Sequence, residues 1–414
     1  MGRFSSFWTL IIFGIFLILL VFVSPLTRQS REDIEWLKFI GRTSRDIAYD
    51  IARLNDGSFV IAGWTGSKEN FDQDVLLLGM DKGGKLLWEK EFGGTGTDGA
   101  VSLTPASDGG FVVLALSDSD SGELSAQFGE QDIWLLKFDN KGTLQWKKCY
   151  GTYGYETAFD VIEDEGYIFA GSINIDGQED FWVVKVDKSG DVVWSRNFGG
   201  TDWDAAFSVA KSKNGYIVAG MSKSADGDVK INHGSADMWI AEISTDGRLL
   251  WENTFGGSEW DQIVDLTAVE DGYIAAGVSW SEEIVGKERK ADFVMIKFDI
   301  NGKVQFFRTY GGSSDDIVQK ILVTEDGYVL AGTSWSDDGD VAGKHEGSDY
   351  WLIKVDKDGE LIWQKCFGGD MDEVAYALEN SKSGFLIGGI SYSYVAGIAG
   401  RSHGGGDVFI VKTK

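Results

Sequence analysis

The chain is nearly empty of proline, cysteine and histidine: two, two and three residues respectively. With Pro25 and Pro105 alone, almost every residue can donate its backbone N–H, which suits long hydrogen-bonded ladders. Cys149 and Cys366 hold one shared place in two distant copies of an internal repeat. Bridging needs Cα atoms within about 7 Å, so two free thiols are expected and a disulfide framework is excluded. His233, His345 and His403 also share one loop position, each in a different copy. That separation excludes a common zinc ion with Zn–N bonds near 2.0–2.1 Å and leaves a loop-fixing hydrogen bond as the expected role. Positive charge is scarce too: 38 Lys+Arg stand against 65 Asp+Glu, a net charge of −27. Such a surface repels phosphate backbones and argues against nucleic acid, while it suits solubility and cationic partners. No phosphate loop, H-E-x-x-H or G-x-S-x-G occurs, and after residue 30 no stretch has room for an ordinary helix.

What the chain has is glycine, 55 of them, and a repeat. The copy Asp349–Gly369 reads DYWLIKVDKDGELIWQKCFGG, and its Trp recurs at Trp36, Trp88, Trp146, Trp194, Trp251 and Trp363, with Phe306 in the sixth slot. The spacing of about 48 to 58 residues marks stacked supersecondary units. Each unit reads as four short strands. A turn after the Trp strand leads to an acid and an apolar run such as Ile317–Leu322. A tight turn follows, for example Asn214-Gly215 or Asp326-Gly327, where glycine supplies the positive φ of a hairpin. The next strand is an unbroken apolar run (Tyr216–Ala219, Tyr328–Ala331), as expected for a strand covered on both faces. A polar loop, a strand opening on Asp, and a turn such as Asp356–Gly359 return the chain to the next Trp.

Four strands repeated seven times predict an all-β, seven-bladed β-propeller. With strands named a to d outward from the channel, the repeats begin on a lone d strand, Ile34–Ile40, and end on a-b-c. The first strand is therefore expected to complete the last blade beside Asp407–Lys412, leaving no free edge; an open solenoid would not need this split. Two regions follow: an N-terminal membrane anchor or signal segment over residues 1–30, and the propeller over 31–414. Residues Phe4–Thr27 carry no charge and, as a helix, would span about 36 Å against a hydrocarbon core of about 30 Å. No small-x-small cleavage site follows and Pro25 comes just after Ser24, so an uncleaved transmembrane helix is favoured over a cleaved signal peptide. Arg3 before the segment is balanced by Arg28 and Arg31 after it, so charge gives little orientation.

The patterns F/Y-G-G-x-x-x-D, D-G-Y-I-x-A-G and D-x-W-x-x-K-x-D-x-x-G resemble the seven-bladed β-propeller repeat family, often abbreviated SBBP, over residues 34–414. The stretch Asp356–Trp363 also resembles the tryptophan-docking motif of quinoprotein-like propellers, which typically have eight blades. The resemblance implies the fold and an extracytoplasmic, surface-associated or periplasmic setting, and no single reaction.

The d-to-a and b-to-c connections share one face, and all the length variation lies in the b-to-c loops there, where binding usually resides. Two sets of seven acids open strands on that face. Asp46, Asp98, Glu156, Asp204, Asp261, Asp316 and Glu373 open strand a and are expected to ring the channel mouth. Asp74, Asp132, Asp180, Asp237, Asp292, Asp349 and Asp407 open strand c. Their presence in every copy favours architecture, with Asp accepting from N–H groups at turns. Asymmetry points better to a ligand. Tyr155, Trp203 and Trp260 precede the strand-a acid in blades 3 to 5, and Trp280, Trp335 and Tyr392 share one b-to-c position in blades 5 to 7. Together they predict an aromatic arc suited to sugar rings or cationic groups; packing between blades is the plainer role. Asp226, Asp228, Asp337, Asp338 and Asp340 could hold Ca²⁺ but lack the length and terminal Glu of an EF-hand loop; no other cofactor is expected. The reading that follows is a membrane-tethered, extracytoplasmic and monomeric binding or scaffold module for a protein or glycan. Two alternatives stay open: a carbohydrate-active hydrolase or lyase using upper-face carboxylates, and an envelope assembly scaffold.

Overall fold

Glycine turns and apolar runs resolve into seven four-stranded antiparallel sheets, each built from consecutive strands except the last. The computed structural model describes residues 33–42, 44–66, 73–124, 128–286, 290–394 and 405–414. The innermost strands a run Asp46–Arg53, Asp98–Pro105, Glu156–Glu163, Asp204–Lys211, Asp261–Val269, Asp316–Thr324 and Glu373–Ser381. They neighbour one another around a central channel, so the molecule is a seven-bladed propeller.

The seventh sheet closes the ring. Ile34–Ile40 lies antiparallel to Asp407–Thr413, with Trp36 opposite Lys412 and Phe39 opposite Phe409. The two Phe rings stack at 4.7 Å, and Lys412 Nζ reaches Glu35 at 3.0 Å. The proposed helix over Phe4–Thr27 and the boundary at residue 30 lie outside the described residues. Among the described residues no helix is long and apolar enough to cross a membrane. One helical turn, Glu282–Val285, sits in the blade 5 loop. Blade 3 has no such loop: its strands Tyr167–Ile175 and Gln178–Val186 meet through Asp176-Gly177, both at positive φ.

Strands b and c are buried on both faces, and the core sits between blades. Phe111, Phe169, Phe293, Trp239 and Trp351 are almost fully enclosed, each stabilising the fold by roughly 1.5–3 kcal/mol. Every strand a carries a bulge at the same place. Ala48 faces Gly63 while Asp50 faces Ala62, so Tyr49 is the extra residue. The kinked backbone presses on strand b: a Cβ on Gly63 would meet the Ile47 carbonyl oxygen at 1.9 Å. The A-G of the repeat is thus the print of the bulge.

The face opposite the variable loops is tied down. The strand-c Lys of the repeat pairs with the acid of its own a-to-b turn, as in Lys137–Asp108 at 2.9 Å, Lys297–Asp271 at 2.9 Å and Lys354–Asp326 at 2.6 Å. Five of the strand-d Trp residues lie under the c-to-d glycine of the next blade: Trp36 under Gly84, Trp88 under Gly142, Trp146 under Gly190, Trp194 under Gly247 and Trp251 under Gly302. Cys149 and Cys366 are both free.

Candidate functional site

The two sets of acids meet one to one across the blade seams. Asp237 at the start of strand c in blade 4 and Asp261 at the start of strand a in blade 5 converge on Gly256, the first Gly of Phe-Gly-Gly. A Cβ there would lie 2.0 Å from Asp237 Oδ1 and 3.0 Å from Asp261 Oδ2. The same sandwich recurs at Gly41, Gly93, Gly151, Gly199, Gly311 and Gly368. Each strand-a acid accepts a backbone N–H from four residues upstream: Asp46 from Arg42 at 2.8 Å, Asp98 from Gly94 at 2.6 Å, Glu156 from Thr152 at 3.0 Å. Asp204, Asp261, Asp316 and Glu373 accept from Gly200, Gly257, Gly312 and Gly369 at 2.7–2.9 Å. These acids do not ring an open channel mouth. All seven are at most 1% exposed, because the turn that each one caps folds over it.

A hydroxyl completes the cap in every blade: Thr65 bonds Asp46 in blade 1, Thr152 bonds Glu156 in blade 3, and loop serines serve the five blades with long b-to-c loops. Ser119, Ser224, Ser281 and Ser336 donate to Asp98, Asp204, Asp261 and Asp316 at 2.7–2.9 Å. Ser391 donates to Glu373 at 2.6 Å, and Ser393 bonds the same oxygen. The sequence signal for these serines is an S-x-S at the end of strand b, as in Ser279-Trp280-Ser281. Burial pushes Asp46, Asp98, Glu156, Asp204, Asp261 and Asp316 above the usual carboxylate range, and Glu373 to about 7, with the serine or threonine hydroxyls and the N–H donors pulling the other way.

The channel is asymmetric. The seven bulged residues Tyr49, Val101, Phe159, Phe207, Val264, Gln319 and Tyr376 wall a cavity of about 460 Å³. Its rim includes Trp64, Gln73, Thr97 and Gln131, all at strand ends on the loop-rich face. Tyr49 and Tyr376 touch at 4.6 Å between ring centres, and Phe159 and Phe207 at 4.8 Å. The first pair belongs to blades 1 and 7 and the second to blades 3 and 4, so the two aromatic walls oppose each other. Gln262, Val264, Gln319 and Lys320 form the side between them.

One residue beyond each bulge lies a second ring: Asp50, Ser102, Asp160, Ser208, Asp265, Lys320 and Ala377. Ser102 Oγ bridges Asp50 at 3.2 Å and Asp160 at 3.4 Å, and Ser208 Oγ bridges Asp160 at 3.0 Å and Asp265 at 3.3 Å. Backbone N–H groups of Leu103, Val209 and Ile321 cap the three aspartates at 2.8–2.9 Å. Enclosure by the ring raises Asp160 and takes Asp265 to about 6, with Lys320 opposing both shifts. Desolvation would push the Lys320 ammonium down, but Asp50, Asp265, Asp160 and Glu379 more than reverse it and hold its pKa above the usual range. The lysine therefore stays charged in the combined field of these carboxylates. None of this ring was singled out from the sequence. Its members differ from blade to blade, so aligning the repeats hides them.

The six aromatic candidates do not form one arc. Trp203 and Trp260 meet at 5.5 Å, and the Lys223 ammonium lies 5.1 and 4.8 Å from their ring centres. That cation–π position is filled from within the chain. The Trp280 N–H donates to the Trp260 carbonyl at 3.0 Å. Its ring joins Glu259, Glu282, Glu283, Lys290 and Asp315 around an open hollow of about 660 Å³. Tyr392 lies instead with Trp64 beside the Arg45 guanidinium. Trp335 and Tyr155 are exposed, and among the described residues neither ring stacks on another.

The acidic loop residues act as turn acceptors. Asp226 takes the Thr201 N–H and hydroxyl at 2.8 and 2.9 Å, and Asp228 the Gly199 N–H at 3.3 Å. Asp338 takes the Ser313 N–H at 2.7 Å, Asp340 the Gly311 N–H at 3.2 Å, and Asp337 pairs with Lys344 at 3.2 Å. Among the described residues no group of three or more His, Cys, Asp or Glu is arranged to hold a metal ion. His233 and His345 bond through Nδ1 to Asp237 and Asp349 at 2.9 and 2.8 Å; the Asp349 bond raises the His345 pKa. His403 lies outside the described residues.

No protein-family signature matches the chain, and no curated protein matches it. Many solved structures share its general form. The WD40 propeller domain of Doa1 is 13% identical, covers 92% of this chain and 96% of its own, with a TM-score of 0.49. Sqt1 from Chaetomium thermophilum is 12% identical over 89% and 95%, also at 0.49. The propeller domain of the Trilobed protease from Pyrococcus furiosus is 9% identical over 92% and 95%, at 0.47. At these values the likeness says nothing of activity, and the propeller assignment rests on the chain's own strand pairing.

Proposed function

We propose that the protein is a membrane-tethered, extracytoplasmic binding module that holds a protein or glycan ligand on its loop-rich face. One contrast between the faces carries the reading. The opposite face is sealed by short turns and Lys–Asp pairs, whereas the loop-rich face has all the variable loops, Trp203, Trp260 and Trp335, and the mouth of the 460 Å³ channel cavity. Rigid scaffolds that vary only in one set of loops bind through those loops. The uncharged segment Phe4–Thr27 and the likeness of the repeat to the seven-bladed propeller-repeat family support the tether and the extracytoplasmic setting.

Crosslinking and mass spectrometry on intact cells tests the reading. Links to foreign partners are expected from Lys223 and Lys290 on the loop-rich face and not from Lys82, Lys141 or Lys188 in the opposite turns. An excess from the second group would reject it, and extraction of the full chain by alkaline carbonate would remove the tether.

A carbohydrate-active enzyme is the second reading, favoured by one observation: Asp160 and Asp265 share Ser208, and Asp265 is raised to about 6. Burial raises Asp160 as well, and two neighbouring carboxyl groups are the acid and base that glycoside hydrolysis uses. Turnover of a glycan, abolished in Asp265→Asn, would establish it.

A further inference from the structure

We infer that the channel cavity binds a neutral sugar ring, an assignment that rests on the loop-rich face being the binding face. A pyranose has two weakly apolar faces and an edge of hydroxyl groups. The cavity repeats that division. Tyr49 with Tyr376 on one side and Phe159 with Phe207 on the other offer opposed aromatic walls, against which C–H faces of a sugar stack. Between them stand the amides of Gln262 and Gln319 and the Lys320 ammonium. Gln262 spends its oxygen on the Trp260 indole at 3.0 Å, which leaves its NH₂ for a ligand. Neither the Gln319 amide nor the Lys320 ammonium makes a hydrogen bond to another described residue. Donors and acceptors thus line the edge and rings line the faces.

Charge selects the neutral class. An acidic sugar would meet Lys320, but with Asp50, Asp160 and Asp265 directly beneath it and a protein of net charge −27 around it. A cationic ligand would meet the Lys320 ammonium first and find no free carboxylate, since the three aspartates already accept from Leu103, Val209, Ile321, Ser102 and Ser208. A neutral polyhydroxylated ring meets neither obstacle. A volume of about 460 Å³ lies within the usual range of small-ligand sites, roughly 300–1,000 Å³, and gives room for about one or two sugar rings.

The test is a glycan array probed with the full-length chain, carrying neutral hexose and N-acetylhexosamine oligosaccharides beside sialylated, sulfated and uronate glycans, with calorimetric titration of any hit. Neutral glycans alone are expected to bind. Gln319→Ala and Phe207→Leu should each weaken that binding at least tenfold, while Val193→Ser, on an exposed outer strand, leaves it unchanged. Thermal melts of all three variants show whether they are folded. Binding only to acidic glycans, no glycan binding at all, or binding indifferent to both cavity variants would overturn the inference. If protein crosslinks at the loop-rich face persist in any of these cases, the binding-face reading survives and the sugar assignment alone falls.

Discussion

At the first position of strand a all seven repeats carry an acid; four residues further in, the same strands carry three aspartates, two serines, a lysine and an alanine. The first set is buried in equivalent seams, capped by equivalent N–H groups and sandwiched against equivalent glycines. The second set differs in chemistry from blade to blade: aspartates in blades 1, 3 and 5 accept from the next blade's backbone, Ser102 and Ser208 bridge them, and Lys320 and Ala377 break the alternation. The contrast separates what the ring needs from what this ring does. A position solved identically seven times satisfies a constraint of the fold, here the orphan N–H groups of the d-to-a turn. A position that breaks the pattern is free of that constraint and can specialise.

The comparison can be broken most severely at the closure. Deleting Gly406–Lys414 removes the strand that pairs with Ile34–Ile40 and is expected to abolish the cooperative thermal transition; a variant that still melts cooperatively would show that the seams alone hold the ring. Next in size is the asymmetric ring. Lys320→Met leaves Asp50, Asp160 and Asp265 without their counter-ion and should cost about 3 kcal/mol in urea denaturation, with Asp265→Asn recovering part of the loss. A loss below about 1 kcal/mol would mean that the aspartates are screened by channel water.

The seams come after. Gly256→Ala forces a methyl against Asp237 and Asp261 and should cost about 2–3 kcal/mol; a neutral result would refute the sandwich. The pH dependence reports the same seams. Glu373 has an ordinary value of 4.5 and is raised to about 7 in the fold by burial, with the nearby Asp349 charge adding to it. The folded chain thus holds a proton that the unfolded chain has released. That contribution is complete below about pH 4.5 and is lost as pH rises to 7. Asp164 has the opposite sign: burial opposes it, but Lys211, Tyr216 and Lys185 hold it down to about 2 from 3.8, so its contribution is lost as pH falls from about 4 toward 2. Chemical denaturation across pH is expected to show greatest stability between these windows. Glu373→Gln should flatten the upper slope by about 2 kcal/mol, and an unchanged slope would count against its raised pKa. Smallest is Ser281→Ala, which removes one donor to Asp261 and should cost about 1.5 kcal/mol; no change would show that the Gly257 N–H is a sufficient cap.

Most of the ring was legible because its determinants are local. Hairpin glycines, strand phase and the lone first strand lie within single repeats and led directly to seven blades and their closure. The acids were legible as positions but not as pairs. Asp237, Gly256 and Asp261 straddle the join between two blades, and only three dimensions show that the glycine sits between the carboxylates. The channel was hidden for a different reason. Period-two alternation puts Gln319 and Lys320 on opposite faces of a strand, yet both line the cavity, because the bulge between Val318 and Lys320 turns two consecutive side chains the same way. The grouping of the aromatics depends on cations that the repeat pattern does not show: Lys223 lies over Trp203 and Trp260, and Arg45 lies over Tyr392 and Trp64.

The clasp also sets a timetable. Glu35 and Lys412 are 377 positions apart, and a ribosome adds about 5–20 residues per second. The first strand therefore waits on the order of 20–75 s for the neighbour that will cover it, longer than any other strand in the molecule. Through that interval Ile34, Trp36 and Phe39 present an uncovered β edge, and a nascent chain of the same kind, stalled nearby, offers the nearest substitute.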